Sequence, residues 1–267
     1  MSRIKACFEQ LQSRGRKALV PFITAGDPAL EATVPLLHVL AENGADLIEV
    51  GIPFSDPMAD GPVIQLADER ALANGVTTIK VLEMVREFRK TNNTTPIILM
   101  GYLNPVEIYG YAKFAQDAAE AGVDGMITVD MPPEAAQPLT DEFKKVGLDG
   151  IFLIAPTTTT ARIEKIAAAA QGYLYYVSLK GVTGAANLDI EAVQAKLETI
   201  RKITDLPITV GFGIKDAATA RAVGAVADGV VVGSALVKLV AEHQQDLPVL
   251  QAKIAETMQS LRQGLDQ

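Results

Sequence analysis

Glu49 stands inside an apolar run, Asp46-Leu47-Ile48-Glu49-Val50-Gly51, where a β-strand is expected. A charged residue in a buried strand is costly without a partner or a chemical role. Alternation places Glu49 on one face with Leu47 and Gly51. If that face lines the mouth of a site, loss of water raises its pKa and makes it a proton carrier near neutral pH. The other outcome is a buried carboxylate paired with Lys or Arg. Asp60 follows in Ser55-Asp56-Pro57-Met58-Ala59-Asp60-Gly61-Pro62, the loop that leaves the same segment. It either folds back to set a second carboxylate beside a substrate, or is a solvated loop residue, or caps a helix beginning at Pro62.

A second chemistry is suggested by three glycine loops: Gly181-Val182-Thr183-Gly184, Gly211-Phe212-Gly213 and Gly233-Ser234. Glycines let the backbone approach an anion, and free N–H groups at a helix start attract negative charge. The Ser234 hydroxyl and the N–H groups of Gly213, Gly233 and Ser234 are candidate phosphate donors, unless each glycine only serves a tight turn. Tyr102 and Tyr175, on expected strands, either reach the mouth or pack with their hydroxyls satisfied. Asp27, Asp189 and Asp216 read as helix N-caps, and Asp130 is open between a cap and a site residue. His38, beside Leu36, Leu37 and Leu40, reads as a packing residue.

These residues need elements to hold them. Apolar runs expected as strands span 18–24, 46–51, 96–102, 124–130, 149–155, 173–178, 207–211 and 228–233. Between them fall amphipathic segments at 31–42, 79–89, 112–121, 134–146, 161–170, 190–203 and 217–223. Gly44-Ala45-Asp46, Gly122-Val123-Asp124 and Gly147-Leu148-Asp149 form a weak repeat, each ending a helix and introducing a strand. Eight near-equal units in a chain of 267 residues favour an α/β fold of the closed (β/α)8 TIM-barrel class over a doubly wound sheet. One domain is expected over residues 1–267, with an extra N-terminal helix and an extra short helix after the last strand, from Ser234 to Val240. The connection from Pro53 to Thr95 is the longest, with an additional helix near Val63 to Leu72.

A net charge of −8 argues against nucleic acid or an anionic membrane as partner. One cysteine, Cys7, and two histidines, His38 and His243, leave little material for a disulfide framework or a metal centre, and none is expected. No membrane span and no signal peptide is evident, so a cytoplasmic location is expected.

The motifs Pro21-Phe22-Ile23-Thr24-Ala25-Gly26-Asp27-Pro28, Glu49 through Pro62, and Tyr102-Leu103-Asn104-Pro105 resemble those of the tryptophan synthase alpha subunit family, as do the three glycine loops. The resemblance runs over essentially the whole chain and is most specific from Glu49 to Pro62. It implies a TIM barrel that cleaves indole-3-glycerol phosphate to indole and glyceraldehyde 3-phosphate. Glu49 matches the family's acid/base and Asp60 the carboxylate that binds the indole N–H. Phe22, Leu99, Tyr102, Val129, Leu153 and Tyr175 match positions lining the indole pocket, and Thr183 the threonine of a loop closing over it. Gly184, Gly213, Gly233 and Ser234 match the phosphate loops. The family pairs with a beta subunit as an α2β2 heterotetramer, receives no cofactor in this chain, and leaves pyridoxal phosphate to the partner; Asp56, Pro57, Asn104 and Pro132 fall in segments that meet it. One departure is Leu179-Lys180 after Ser178, where many members carry Arg. The same chemistry without a partner, a stand-alone indole-glycerol-phosphate lyase, is the alternative.

The implied reaction is a retro-aldol cleavage, which needs an electron sink. No lysine falls inside an expected strand to form a Schiff base. Protonated at C3, the indole ring is its own sink. This chemistry asks for proton transfer, here by Glu49, and for a fixed negative charge, here Asp60.

Overall fold

A helix that runs into Gly44, Gly122 or Gly147 stops there, because these glycines hold φ values of 106°, 91° and 78°, a region that penalises any Cβ. The aspartate two residues later then fixes the next strand. Asp46 accepts the Leu19 N–H at 2.8 Å and Asp124 the Ile97 N–H at 2.8 Å. Asp228, after Ala227, accepts the Ile208 N–H at 2.9 Å. Each carboxylate therefore ties the start of its own strand to the start of a neighbouring one, and each also meets an arginine from a surrounding helix: Arg262, Arg89 and Arg201 respectively. Asp149 departs from the pattern and accepts from the Ser2 hydroxyl at 2.6 Å.

The resulting strands, in a computed structural model, are β1 (Ala18–Thr24), β2 (Ile48–Gly51), β3 (Ile97–Gly101), β4 (Gly125–Thr128), β5 (Asp149–Ile154), β6 (Leu174–Val177), β7 (Ile208–Gly211) and β8 (Gly229–Val232). The structure describes residues 2–178, 189–211 and 213–267. All neighbours are parallel and run in chain order, and β1 pairs with both β2 and β8, which closes the barrel. The TIM-barrel expectation holds. The strand from Ala18 to Thr24 has its expected bounds. The others are shorter: the aspartates ahead of β2, β4 and β8 act as clamps outside the ladder, and the expected last residues of β3, β4, β5, β6 and β8 already turn into loops or helix starts.

The helices, in order, are α1 (Arg3–Ser13), α2 (Thr33–Glu42), α3 (Pro62–Ala73), α4 (Thr78–Arg89), α5 (Leu103–Tyr109), α6 (Tyr111–Ala121), α7 (Gln137–Val146), α8 (Thr160–Ala169), α9 (Ile190–Arg201), α10 (Ala217–Gly224), α11 (Ser234–Glu242) and α12 (Leu247–Leu265). The sequence did not announce α5. Pro105 sits in its first turn, where the missing N–H has no intrahelical acceptor to lose. None of the described helices is long and apolar enough to cross a membrane.

Two apolar layers follow from strand alternation. Ile48, Val50, Ile97 and Leu99 point outward and pack with the helices. Leu47, Ile98, Ile127, Ile151 and Tyr173 point inward, where Ile4, Phe8 and Leu11 of α1 plug the floor of the barrel. The floor is thus sealed by apolar side chains, and polar chemistry is left to the mouth at the C-terminal ends of the strands.

Candidate active site

Glu49 is brought inside by the same alternation that sends Ile48 and Val50 outward. It is fully buried, with 0 % of its surface exposed. The Tyr173 hydroxyl donates to its Oε1 at 2.7 Å, whereas its Oε2 has no hydrogen-bond partner among the described residues. Burial pushes its pKa up to about 8, against the opposing pull of the Tyr173 hydrogen bond. No Lys or Arg pairs with it among the described residues. The ion-paired reading therefore gives way to a carboxyl group with one oxygen anchored and the other unpartnered, whose proton is held up to near-neutral pH.

Asp60 comes back over the mouth on the loop between β2 and α3. The Tyr102 hydroxyl donates to its Oδ2 at 2.6 Å and accepts the Ala59 N–H at 3.0 Å. One phenol therefore grips both the carboxylate and the backbone that carries it. The Phe54 ring stacks on Tyr102 with centroids 5.3 Å apart. Gly61, not Asp60, occupies the N-cap position of α3. Burial raises the Asp60 pKa and the Tyr102 hydrogen bond lowers it.

Tyr175 feels both carboxylates: its phenol is pushed well above its usual range by burial and then by the charges of Glu49 and Asp60. Its hydroxyl presses on Gly211, where an added Cβ would lie 1.9 Å from it. Close approach, rather than turn geometry, is what Gly211 provides. Phe22, Tyr102 and Val129 line a cavity at the mouth together with Gly51, Met100 and Asp68. Leu153 packs on the inner cluster, half-buried.

Leu99 does not line this cavity. It pairs in register with Val50, faces outward with Ile97, and is buried against the helices. The inward neighbour is Met100, one position on, because period-two alternation makes an error of one residue an error of face. Asp27 also departs from expectation. It is no helix cap but a buried ion-pair partner, accepting from Arg70 Nε and Nη2 at 2.8 Å each. Asp189 and Asp216 do cap α9 and α10. Asp130 accepts the Leu103 N–H at 2.8 Å and holds the start of α5. His38 packs on Phe88, with ring centroids 4.8 Å apart.

After β8, which pairs with β1, Gly233 is the N-cap of α11 and lies against Phe22, 3.6 Å from an added Cβ to the Phe22 Cβ. Ser234 opens α11 and is exposed, as is Gly213, which holds φ at 79°. Thr183 and Gly184 lie outside the described residues. Asp56, Asn104 and Pro132 are exposed and Pro57 half-buried: Asp56, Pro57 and Pro132 on loops following β2 and β4, and Asn104 in the first turn of α5 after β3, all at the mouth end of the barrel.

The tryptophan synthase alpha chain family model matches residues 8–266. The chain belongs to the tryptophan synthase alpha chain family. A tryptophan synthase alpha chain from Thioalkalivibrio sulfidiphilus is 56% identical over 266 residues, covering 100% of both chains. One from Marinobacter nauticus is 54% identical over 266 residues, covering 100% of this chain and 98% of its own. Among solved structures, tryptophan synthase subunit alpha from Legionella pneumophila superposes with a TM-score of 0.93 at 47% identity, covering 100% of this chain and 99% of that one. A chain of Mycobacterium tuberculosis tryptophan synthase in an aminoacrylate-bound form gives 0.88 at 35% identity, covering 99% of this chain and 100% of that one.

Within this alpha-chain fold, the motifs left two further residues unmarked besides Met100, one inside the barrel and one at the mouth. Tyr173 anchors Glu49, and a signal for it was available: it alternates with Tyr175 on the same strand face. Asp68 lines the cavity from α3, but its sequence neighbours look like any amphipathic helix.

Proposed function

We propose that this chain, as a lyase of the tryptophan synthase alpha chain family, performs the retro-aldol cleavage of indole-3-glycerol phosphate and passes indole to a beta subunit within an α2β2 assembly. The observation that carries the proposal is Glu49: a fully buried carboxyl group inside the barrel with no cation among the described residues, one oxygen bonded to Tyr173 and the other without a hydrogen-bond partner among them. Glu49 protonates indole C3, giving an indolenine cation. The hydroxyl proton of the glycerol carbon next to the ring is removed, its O–H electrons form the aldehyde C=O, and the carbon–carbon bond breaks. The bond electrons return to the ring and neutralise its nitrogen. One proton is given and one taken, so Glu49 ends the cycle as it began. Asp60, held by Tyr102, accepts from the indole N–H and stabilises the positive charge that develops there.

Phe22, Met100, Val129, Leu153 and Tyr175 give the indole ring an apolar berth. Ser234, Gly233 and Gly213 offer donors to the phosphate at the start of α11. Thr183 and Gly184 complete closure and phosphate binding in the same reading. Pyridoxal phosphate belongs to the partner. Asp56, Pro57, Asn104 and Pro132 form the face that meets it, with the exposed side chains of Met58 and Ile108, 78% and 82% exposed, as its apolar contacts. The naming of the relatives as alpha chains favours this subunit role over a stand-alone lyase.

The test is indole release from indole-3-glycerol phosphate, with and without an added beta subunit. Slow release alone and faster release in the complex are expected. No indole under either condition overturns the proposal.

A further inference from the structure

Asp68 lies outside every role assigned so far, yet it is 4% exposed and lines the same cavity as Asp60. It projects from α3 toward the loop that carries Asp60, and its Oδ2 accepts the Phe54 N–H at 3.4 Å. The Thr24 hydroxyl, buried at the end of β1, lies beside it. Phe54 then stacks on Tyr102, and Tyr102 bonds both Asp60 and the Ala59 N–H. A continuous path of contacts thus leads from Asp68 through the Phe54 backbone and ring to the Tyr102 phenol and the Asp60 carboxylate.

We propose that Asp68 is a positioning residue for Asp60: it pins the backbone at Phe54, so that the Phe54 ring fixes Tyr102 and Tyr102 fixes Asp60.

The electrostatic surroundings agree with that role. The charged and titratable groups around Asp68 are Asp60 on the loop, Asp27 after β1, the Arg70 that Asp27 already engages, and Tyr102 after β3. Two of these are carboxylates, and Arg70 is committed to Asp27 through two hydrogen bonds. Burial, and then the charges of Asp60 and Asp27, push the Asp68 pKa up to about 7. Protonated or ionised, the carboxyl group keeps an oxygen that accepts from the Phe54 N–H. An amide at this position keeps the acceptor without the charge, and a methyl group keeps neither.

The path is tested by amide hydrogen exchange at Phe54 and Ala59, which does not depend on the reaction proposed above; the kinetic arm does rest on that reading. In Asp68→Ala, both amides are expected to exchange about tenfold faster or more while the amides of β2 keep their protection. The kcat for indole-3-glycerol phosphate cleavage is expected to fall by about tenfold or more, with KM changed less, as a displaced catalytic group requires. Asp68→Asn is expected to restore the protection of both amides and most of kcat. Phe54→Leu is expected to release the Ala59 amide while leaving the Phe54 amide protected, which isolates the ring-stacking link from the fold of α3. Unchanged exchange at Ala59 in Asp68→Ala overturns the proposal, as does failure of Asp68→Asn to restore it. A wild-type chain that makes no indole overturns the functional reading instead, and the exchange data still decide on Asp68.

Discussion

Glu49 couples the chemistry to stability. Its folded-state pKa is about 8, against an ordinary value of 4.5. Below 4.5 both the folded and unfolded chains hold the proton, and there is no penalty. Between the two values the unfolded chain releases it and the folded chain does not, so stability falls as pH rises, by up to about 1.4 kcal/mol per pH unit. Glu49→Gln removes this titration while preserving shape. The variant is therefore expected to gain stability over wild type progressively from pH 5 to pH 8, as read from urea unfolding at constant ionic strength. A difference that does not change with pH would mean that Glu49 titrates like an exposed carboxylate.

The clamps beneath the barrel act at the level of elements. Asp124 joins β3 to β4 by accepting the Ile97 N–H, and engages Arg89 of α4 at 2.7 Å and Arg3 of α1 at 2.8 Å. The Arg89 side chain is 8% exposed, and burial lowers its pKa to about 10 even with Asp124 beside it. Asp124→Ala strands that guanidinium and is expected to cost about 3–5 kcal/mol in denaturant unfolding. The same change at Asp228, whose partner Arg201 is 40% exposed, removes mainly the backbone hydrogen bond and is expected to cost about 1–3 kcal/mol. Equal losses would contradict the account. Much of this was legible in the sequence, because a Gly-x-Asp repeat ahead of apolar runs states both the helix stop and the strand start. The purpose of the aspartates was not legible, since it depends on which backbone N–H the closed barrel brings opposite. The same limit explains Leu99, where the motif located the right strand but only register chose the face, Tyr173, which meets Glu49 only inside the closed barrel, and Met100 and Asp68, whose roles exist only once β3 and α3 converge on the mouth. Glu49 and Asp60 were visible because a carboxylate inside a strand and one in a proline-bounded loop already stand out locally.

For the whole molecule, the sealed floor and polar mouth confine chemistry to one end, and the proposed partner face lies on that end too. Two large apolar side chains, Met58 and Ile108, are displayed there to solvent. Ile108→Asp is expected to weaken association with a beta subunit by about 2 kcal/mol or more, read by calorimetry, while indole release by the chain alone stays unchanged. A loss of that basal release would show that Ile108 supports the barrel rather than the interface. The most direct test of the account concerns Glu49 itself. Indole formed in a single turnover is separated from unreacted substrate, which carries the same ring, and quantified by chromatography. With excess enzyme bound to a beta subunit and indole-3-glycerol phosphate, wild type is expected to release indole, and Glu49→Gln to bind the substrate yet form indole slower by about 100-fold or more. Indole formation by Glu49→Gln within tenfold of wild type would contradict the assignment of Glu49 as the proton carrier.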